Sequence, residues 1–202
     1  MHGRLNFLYL LFKRGYFQPN QLNSLPNFLL VISEKTMRLF IAINLSDAMK
    51  DALTAAQDEM YSKGVRGNFT PGENMHLTLA FIGEYPDKEQ VMDALSSVSF
   101  SAFTLSLSGM GCFRDLWWAG MDESAPLAAV VRRIRHALAD HDIPFDRKRF
   151  SPHITLIRKA TGTMPGIQID KISMPVECIS LMRSDRGKHG MIYTEVGEIT
   201  KK

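Results

Sequence analysis

The chain interrupts an apolar strand with the same pair of polar residues twice, as His76-Leu77-Thr78-Leu79 and as His153-Ile154-Thr155-Leu156. Side chains alternate across a strand. His76 and Thr78 therefore share one face, with Leu77, Leu79 and Phe81 on the other. His153 and Thr155 stand in the same relation to Ile154 and Leu156. A lone histidine in such a place is ordinarily a hydrogen-bonded core residue. Two copies, each with a hydroxyl on the histidine's face, are another matter. With six histidines in 202 residues, composition alone yields the pair with odds on the order of 0.2%. Local pattern departs from the rules of a packed fold chiefly at functional sites. The polar faces of the two strands are therefore expected to look across a cleft at each other.

The contexts of the two motifs also repeat. Residues 38–45 read as a buried strand. Ser46 or Asp47 then caps a helix whose apolar stripe is Met49, Leu53, Ala56 and Met60, closed by Gly64. A polar loop, "VRGNFTPGEN", leads into the strand of His76. Asp87, with Gln90 three residues on, opens a helix carrying Val91, Ala94, Leu95 and Val98. "FTLSLS" at 103–108 alternates as a half-exposed strand, and a further short strand lies near "LWWAGM". Ser124 and Pro126 start a helix with Leu127, Val130, Val131, Ile134 and Leu138 at helical spacing. A loop through Pro144 and the basic run "DRKRF" then enters the strand of His153. Residues 176–184 and 190–198 read as a hairpin across "DRGKHG". Helix, loop and histidine-bearing strand thus occur twice, which points to an internal duplication. The expected fold is α+β: a two-lobed, internally duplicated domain in which largely antiparallel sheets line a central cleft and helices lie outside.

Residues 1–36 differ from the rest. "LNFLYLLF" at 5–12 is far too short to span a bilayer and is followed at once by Lys13-Arg14. A loop-rich stretch comes next, and the text changes to a buried-strand pattern at Met37. The expectation is an appended arm over 1–36 and a working domain over 37–202, with no membrane partner. The arm carries four basic residues and one acid, which leaves 20 charges of each sign in the remainder. A neutral body is not built to track a long polyanion by counterion release, although a few placed groups suffice to grip one phosphate. Cys112 and Cys178 form no C-x-x-C pair and read as small core residues in a reducing, cytoplasmic setting.

Two histidines can divide the roles of acid and base near neutral pH. Each threonine, about 7 Å along its strand, offers a hydroxyl to an anionic oxygen. Facing each other, the motifs suit in-line displacement at phosphorus, with base and acid on opposite sides and hydroxyls on the non-bridging oxygens. Such a site needs neither a metal nor another cofactor. No glycine-rich phosphate loop is present, which argues against hydrolysis of nucleoside triphosphates.

These paired H-x-T-x motifs, with "MRLFIAINL" at the start and "RFSPHITLIR" around the second copy, resemble the 2H phosphoesterase superfamily. More closely, they resemble the RNA 2′,3′-cyclic phosphodiesterases, also called 2′-5′ RNA ligases. The resemblance runs over 37–198. It implies metal- and ATP-independent hydrolysis of an RNA 2′,3′-cyclic phosphate end to a 2′-phosphomonoester, with 2′-5′ joining as a further activity. It implies that His76 is the acid protonating the leaving 3′ oxygen and His153 the base activating water. Thr78 and Thr155 would hold phosphoryl oxygens, and Arg158 would add charge at the phosphate or terminal nucleotide. By strand parity, however, Arg158 falls with Ile154 and Leu156, so it reaches the cleft only if the strand bends or ends there. The partner is an RNA end or a small nucleotide bearing a cyclic phosphate, bound by a monomer.

Phe150, Trp117 and Trp118 are candidates to stack on a base, or else pack in the core. His136 and His141 are expected to face solvent, as is His189 in its turn, while His2 belongs to the arm. A zinc site would need a third ligand, and neither Glu73 nor Asp146 has a telling spacing. A non-catalytic module that binds a nucleotide or RNA end is the remaining alternative.

Overall fold

Among the described residues the strands pair only antiparallel, in two sheets. The computed structural model describes residues 36–188 and 190–202, and Thr36–Lys202 cluster as a compact unit. The strands are β1 (Met37–Asn44), β2 (Arg66–Phe69), β3 (His76–Tyr85), β4 (Phe103–Phe113), β5 (Leu116–Met121), β6 (His153–Thr161), β7 (Ser173–Val176), β8 (Cys178–Gly187) and β9 (Gly190–Thr200). The helices are α1 (Asp47–Ser62), α2 (Lys88–Ser96) and α3 (Ala125–Asp140). One sheet has the order β3-β1-β8-β9 and the other β2-β6-β5-β4-β7. Each sheet thus receives one of the two histidine strands, as an α+β fold with two lobes requires.

The helices form where their caps and stripes place them. The Ser46 hydroxyl accepts from Met49 N–H, Asp87 from Gln90 N–H and Ser124 from Leu127 N–H. Met49, Leu53, Ala56 and Met60 are all buried along α1, and Gly64, at φ 88°, ends the run. The Gln90 side chain does not turn back on the cap of α2. It accepts from the Tyr85 hydroxyl at 2.7 Å and donates to the His141 carbonyl at 2.9 Å. All three helices bury their apolar faces in one core with residues of both sheets. The first sheet has a second, smaller apolar cluster of Phe40, Ala42 and Met182, with Phe81 and Tyr193 packed on it. That sheet is therefore dressed on both faces, the core side by helices and the other side by the cluster around the first motif.

Several expectations change. The polar segment "VRGNFTPGEN" contains the edge strand β2, paired with β6. Its Gly67 sits where a Cβ would lie 2.8 Å from Ile157 Cγ2 and 3.0 Å from two carbonyl oxygens, so backbone proximity, rather than apolar patterning, makes this strand. β4 continues past residue 108 to Phe113. Cys112 and Cys178 are exposed, not core residues. Cys112 lies next to the turn of the β4–β5 hairpin, opposite Trp117, and Cys178 is the first residue of β8, before the buried run 179–182. The hairpin at the end of the chain forms as expected between β8 and β9. His2, His189 and the arm up to residue 35 lie outside the described residues. No helix among the described residues is long and apolar enough to cross a membrane.

Candidate active site

Both motifs open their strands, and both are followed by the same irregularity. Across β1 and β3, Ile41 faces Ala80 while Ala42 faces Thr78, so Leu79 is an inserted residue. Across β5 and β6, Trp117 faces Ile157 while Trp118 faces Thr155, so Leu156 is inserted. In each case the bulge is the fourth residue of the motif. A bulge switches the alternation. Leu79 and Ala80 are both buried, as are Leu156 and Ile157. The fifth residue after each histidine therefore returns to the histidine's face. This corrects the placement of Phe81, which packs with Phe40, Ala42, Met182 and Tyr193 and not with Leu77 and Leu79 in the main core. It also removes the parity objection to Arg158, whose charge reaches His76.

The second bulge is anchored from below. The Leu156 carbonyl accepts from Thr70 N–H at 2.8 Å and from the amide of Gln57 at 2.7 Å. Gln57 is a buried residue of α1 and also donates to the Thr70 carbonyl at 3.0 Å. The loop before β6 is tied to the other lobe's strand, since Asp146 N–H donates to the Phe81 carbonyl at 2.8 Å. β3 and β6 consequently approach one another directly.

The histidines are held alike. His76 Nδ1–H donates to the Asn74 carbonyl at 2.8 Å, and His153 Nδ1–H donates to the Ser151 carbonyl at 2.8 Å. A carbonyl only accepts, so each ring carries its proton on Nδ1 and leaves Nε2 for chemistry. Two aromatic rings flank each imidazole. Phe40 and Tyr193 have centroids 4.8 and 5.1 Å from His76, and Phe113 and Trp118 lie 5.3 and 6.3 Å from His153. Burial is the main force holding His76 below the ordinary imidazole value of 6.5. The Asn74 carbonyl opposes that shift, while the positive charges of Arg158 and His153 add to it.

The other candidates fall as follows. Thr78 and Thr155 are half-buried on the faces of their histidines. Trp118 lies opposite Thr155, whereas Trp117 is buried in the core. Phe150 packs partly buried against the main core and not on either histidine. His136 is exposed and paired with Asp140, and His141 ends α3 with Nδ1–H donating to the Ala137 carbonyl. Asp146 pairs with Lys148. No three His, Cys, Asp or Glu side chains among the described residues converge to hold a metal. Sequence reading missed Phe40, Tyr193 and Phe113, because their rings reach the imidazoles from β1, β9 and β4.

Residues 46–188 match the family model of the 2′-5′ RNA ligase superfamily. The RNA 2′,3′-cyclic phosphodiesterase of Thermus thermophilus is 33% identical over 175 residues, which are 78% of this chain and 87% of that protein. The protein of the same name from Geobacillus stearothermophilus is 30% identical over 140 residues. That match takes in 65% of this chain, but the chain spans only 45% of the relative. The crystal structure of E. coli LigT complexed with 3′-AMP superposes with a TM-score of 0.72 at 25% identity, covering 83% of this chain and 98% of that one. Two antiparallel sheets that each present a tethered histidine, together with these likenesses, place the chain in the 2′-5′ RNA ligase superfamily.

Proposed function

We propose that this chain hydrolyses RNA 2′,3′-cyclic phosphate ends to 2′-phosphomonoesters by proton transfer between two histidines. One observation carries the reading: His76 and His153 are tethered through Nδ1 to the carbonyl two residues earlier, which frees both Nε2 atoms for substrate. In the reaction, His153 Nε2 takes a proton from water as its oxygen attacks phosphorus. The bond from phosphorus to the 3′ oxygen breaks, and His76 Nε2–H protonates that oxygen. The products are a 3′-hydroxyl and a 2′-phosphomonoester. The Thr78 and Thr155 hydroxyls donate to non-bridging oxygens as charge builds on them. Arg158, brought to the cleft face by the bulge, offsets that charge. No step draws on a metal or on ATP. The same displacement, with a 5′-hydroxyl of a second RNA end in place of water, would form the bond to phosphorus as the 3′ oxygen leaves and so join the ends through a 2′-5′ linkage.

As the acid, His76 must be protonated when substrate is bound. Burial and the charge of Arg158 disfavour this in the free protein, whereas the anionic cyclic phosphate brings the charge that favours it. Substrate binding thus prepares its own acid.

A small cyclic nucleotide as the substrate is favoured by one observation, that E. coli LigT has been crystallised with 3′-AMP, with ATP and with NADP+. The test is to incubate the protein, with EDTA present, with an RNA oligonucleotide ending in a 2′,3′-cyclic phosphate and with 2′,3′-cyclic AMP. The expected product from RNA is the 2′-phosphate. A 3′-phosphate, or no turnover of either compound, would overturn the proposal. Turnover confined to the mononucleotide would favour the second reading.

A further inference from the structure

The two histidines are caged differently. Beside His76, Phe40 is 3% exposed. Beside His153, Phe113 is 46% exposed and Trp118 is half-buried. Phe113 is one of three large apolar side chains left exposed among the described residues. The other two, Tyr61 and Ile192, belong to α1 and β9, away from the rings around His153.

The indole of Trp118 lies flat on its sheet, because its neighbours on the side away from Thr155, Gly111 and Gly120, have no side chains. Gly111 faces it from β4, and a Cβ at that position would overlap the indole's Cζ2 and Cη2 atoms. A Cβ on Gly120 would come within 3.3 Å of its Cζ3. Phe113 closes one side at a centroid distance of 5.2 Å and an angle of 36°. No acceptor among the described residues takes up the buried indole N–H, so packing alone sets the plane of the ring. The hairpin under Phe113 is itself pinned. Arg114 holds a left-handed φ of 58°, and Ala160 N–H donates to the Asp115 carbonyl at 2.8 Å. A non-glycine residue is kept in that region only where its surroundings enforce it. The result is a fixed aromatic surface that begins on the strand beside Thr155 and extends over Gly111 on the next, between one and two strand spacings, or about 5–10 Å, across the sheet.

We infer that Trp118, laid flat over Gly111 and flanked by Phe113, is the platform on which the base of the terminal nucleotide stacks. The inference rests on the proposed reaction for the position of the phosphate. With the phosphoryl group held at Thr155, the ribose bridges the gap across β5 and the base meets the indole face. Stacking accepts any base, so the site would require a nucleoside without choosing its base.

The test compares kcat/KM for 2′,3′-cyclic AMP with that for a base-free ribose 2′,3′-cyclic phosphate. The wild type should prefer the base-bearing compound by roughly five- to a hundredfold. Trp118→Ala should lose that preference, and Trp118→Phe should keep most of it. Gly111→Ala, which retains the indole but lifts it, should behave like Trp118→Ala. An unchanged preference in Trp118→Ala, or none in the wild type, overturns the inference. An independent reading comes from tryptophan fluorescence of the wild-type protein, in which Trp117 is buried at 4% exposure. Quenching by 2′-AMP but not by ribose phosphate supports the platform, and equal responses overturn it. If the wild type cleaves neither substrate, the phosphodiesterase reading fails, and the quenching alone decides on the platform.

Discussion

At the scale of single residues, the proposed chemistry turns on protons. His76 is held below 6.5 first by burial, then by Arg158 and His153, against the pull of the Asn74 carbonyl. Its titration midpoint, followed by NMR, should therefore lie below that of an ordinary imidazole. It should rise in Arg158→Gln, where one opposing charge is gone, and rise again when 2′-AMP is bound. A midpoint indifferent to both changes would separate Arg158 from the site. The threonines are asked for hydrogen bonds and nothing else. Thr78→Val and Thr155→Val keep shape and strand preference but remove the donor, so each should lower kcat by roughly a hundredfold while the protein stays folded.

At the scale of elements, the bulges after the two motifs decide what the cleft contains. The bulge at Leu156 depends on Gln57, which is buried and reaches the carbonyls of Thr70 and Leu156 from α1. Gln57→Leu leaves the Thr70 carbonyl without that donor and should cost about 1–3 kcal/mol in urea unfolding. The elements themselves were largely legible in the sequence. Caps at Ser46, Asp87 and Ser124, and stripes such as Met49-Leu53-Ala56-Met60, follow from local chemistry that tertiary context did not override. The bulges were not legible, since alternation is counted on an unbroken strand and an inserted residue leaves no mark in hydropathy. Unbroken alternation therefore puts Arg158 and Phe81 on the wrong faces. The edge strand β2 was missed for a related reason: its residues are mostly polar, and it exists because Gly67 lets two backbones approach. The exposure of Cys112 and Cys178 reflects their places at the end and the start of strands, where an apolar neighbour no longer implies burial.

At the scale of the whole molecule, the duplication in the sequence becomes two sheets that present matched strands, each with a histidine tethered two residues back and a bulge three residues on. In the proposed reaction the two halves share the site, so His76 would link stability to chemistry. Since His76 titrates lower in the folded protein than in the unfolded chain, the unfolded state binds more protons over the interval below 6.5. This contribution to stability is complete above that pH and is lost as pH falls toward the folded-state value. Urea midpoints should decline over that interval, and less steeply in His76→Gln. Whether both histidines carry the reaction is decided by turnover of an RNA 2′,3′-cyclic phosphate, with EDTA present, in wild type, His76→Ala and His153→Ala. The wild type should be indifferent to the chelator, and each variant should lose about a hundredfold or more in kcat. Near-native turnover in either folded variant would contradict a reaction carried by both.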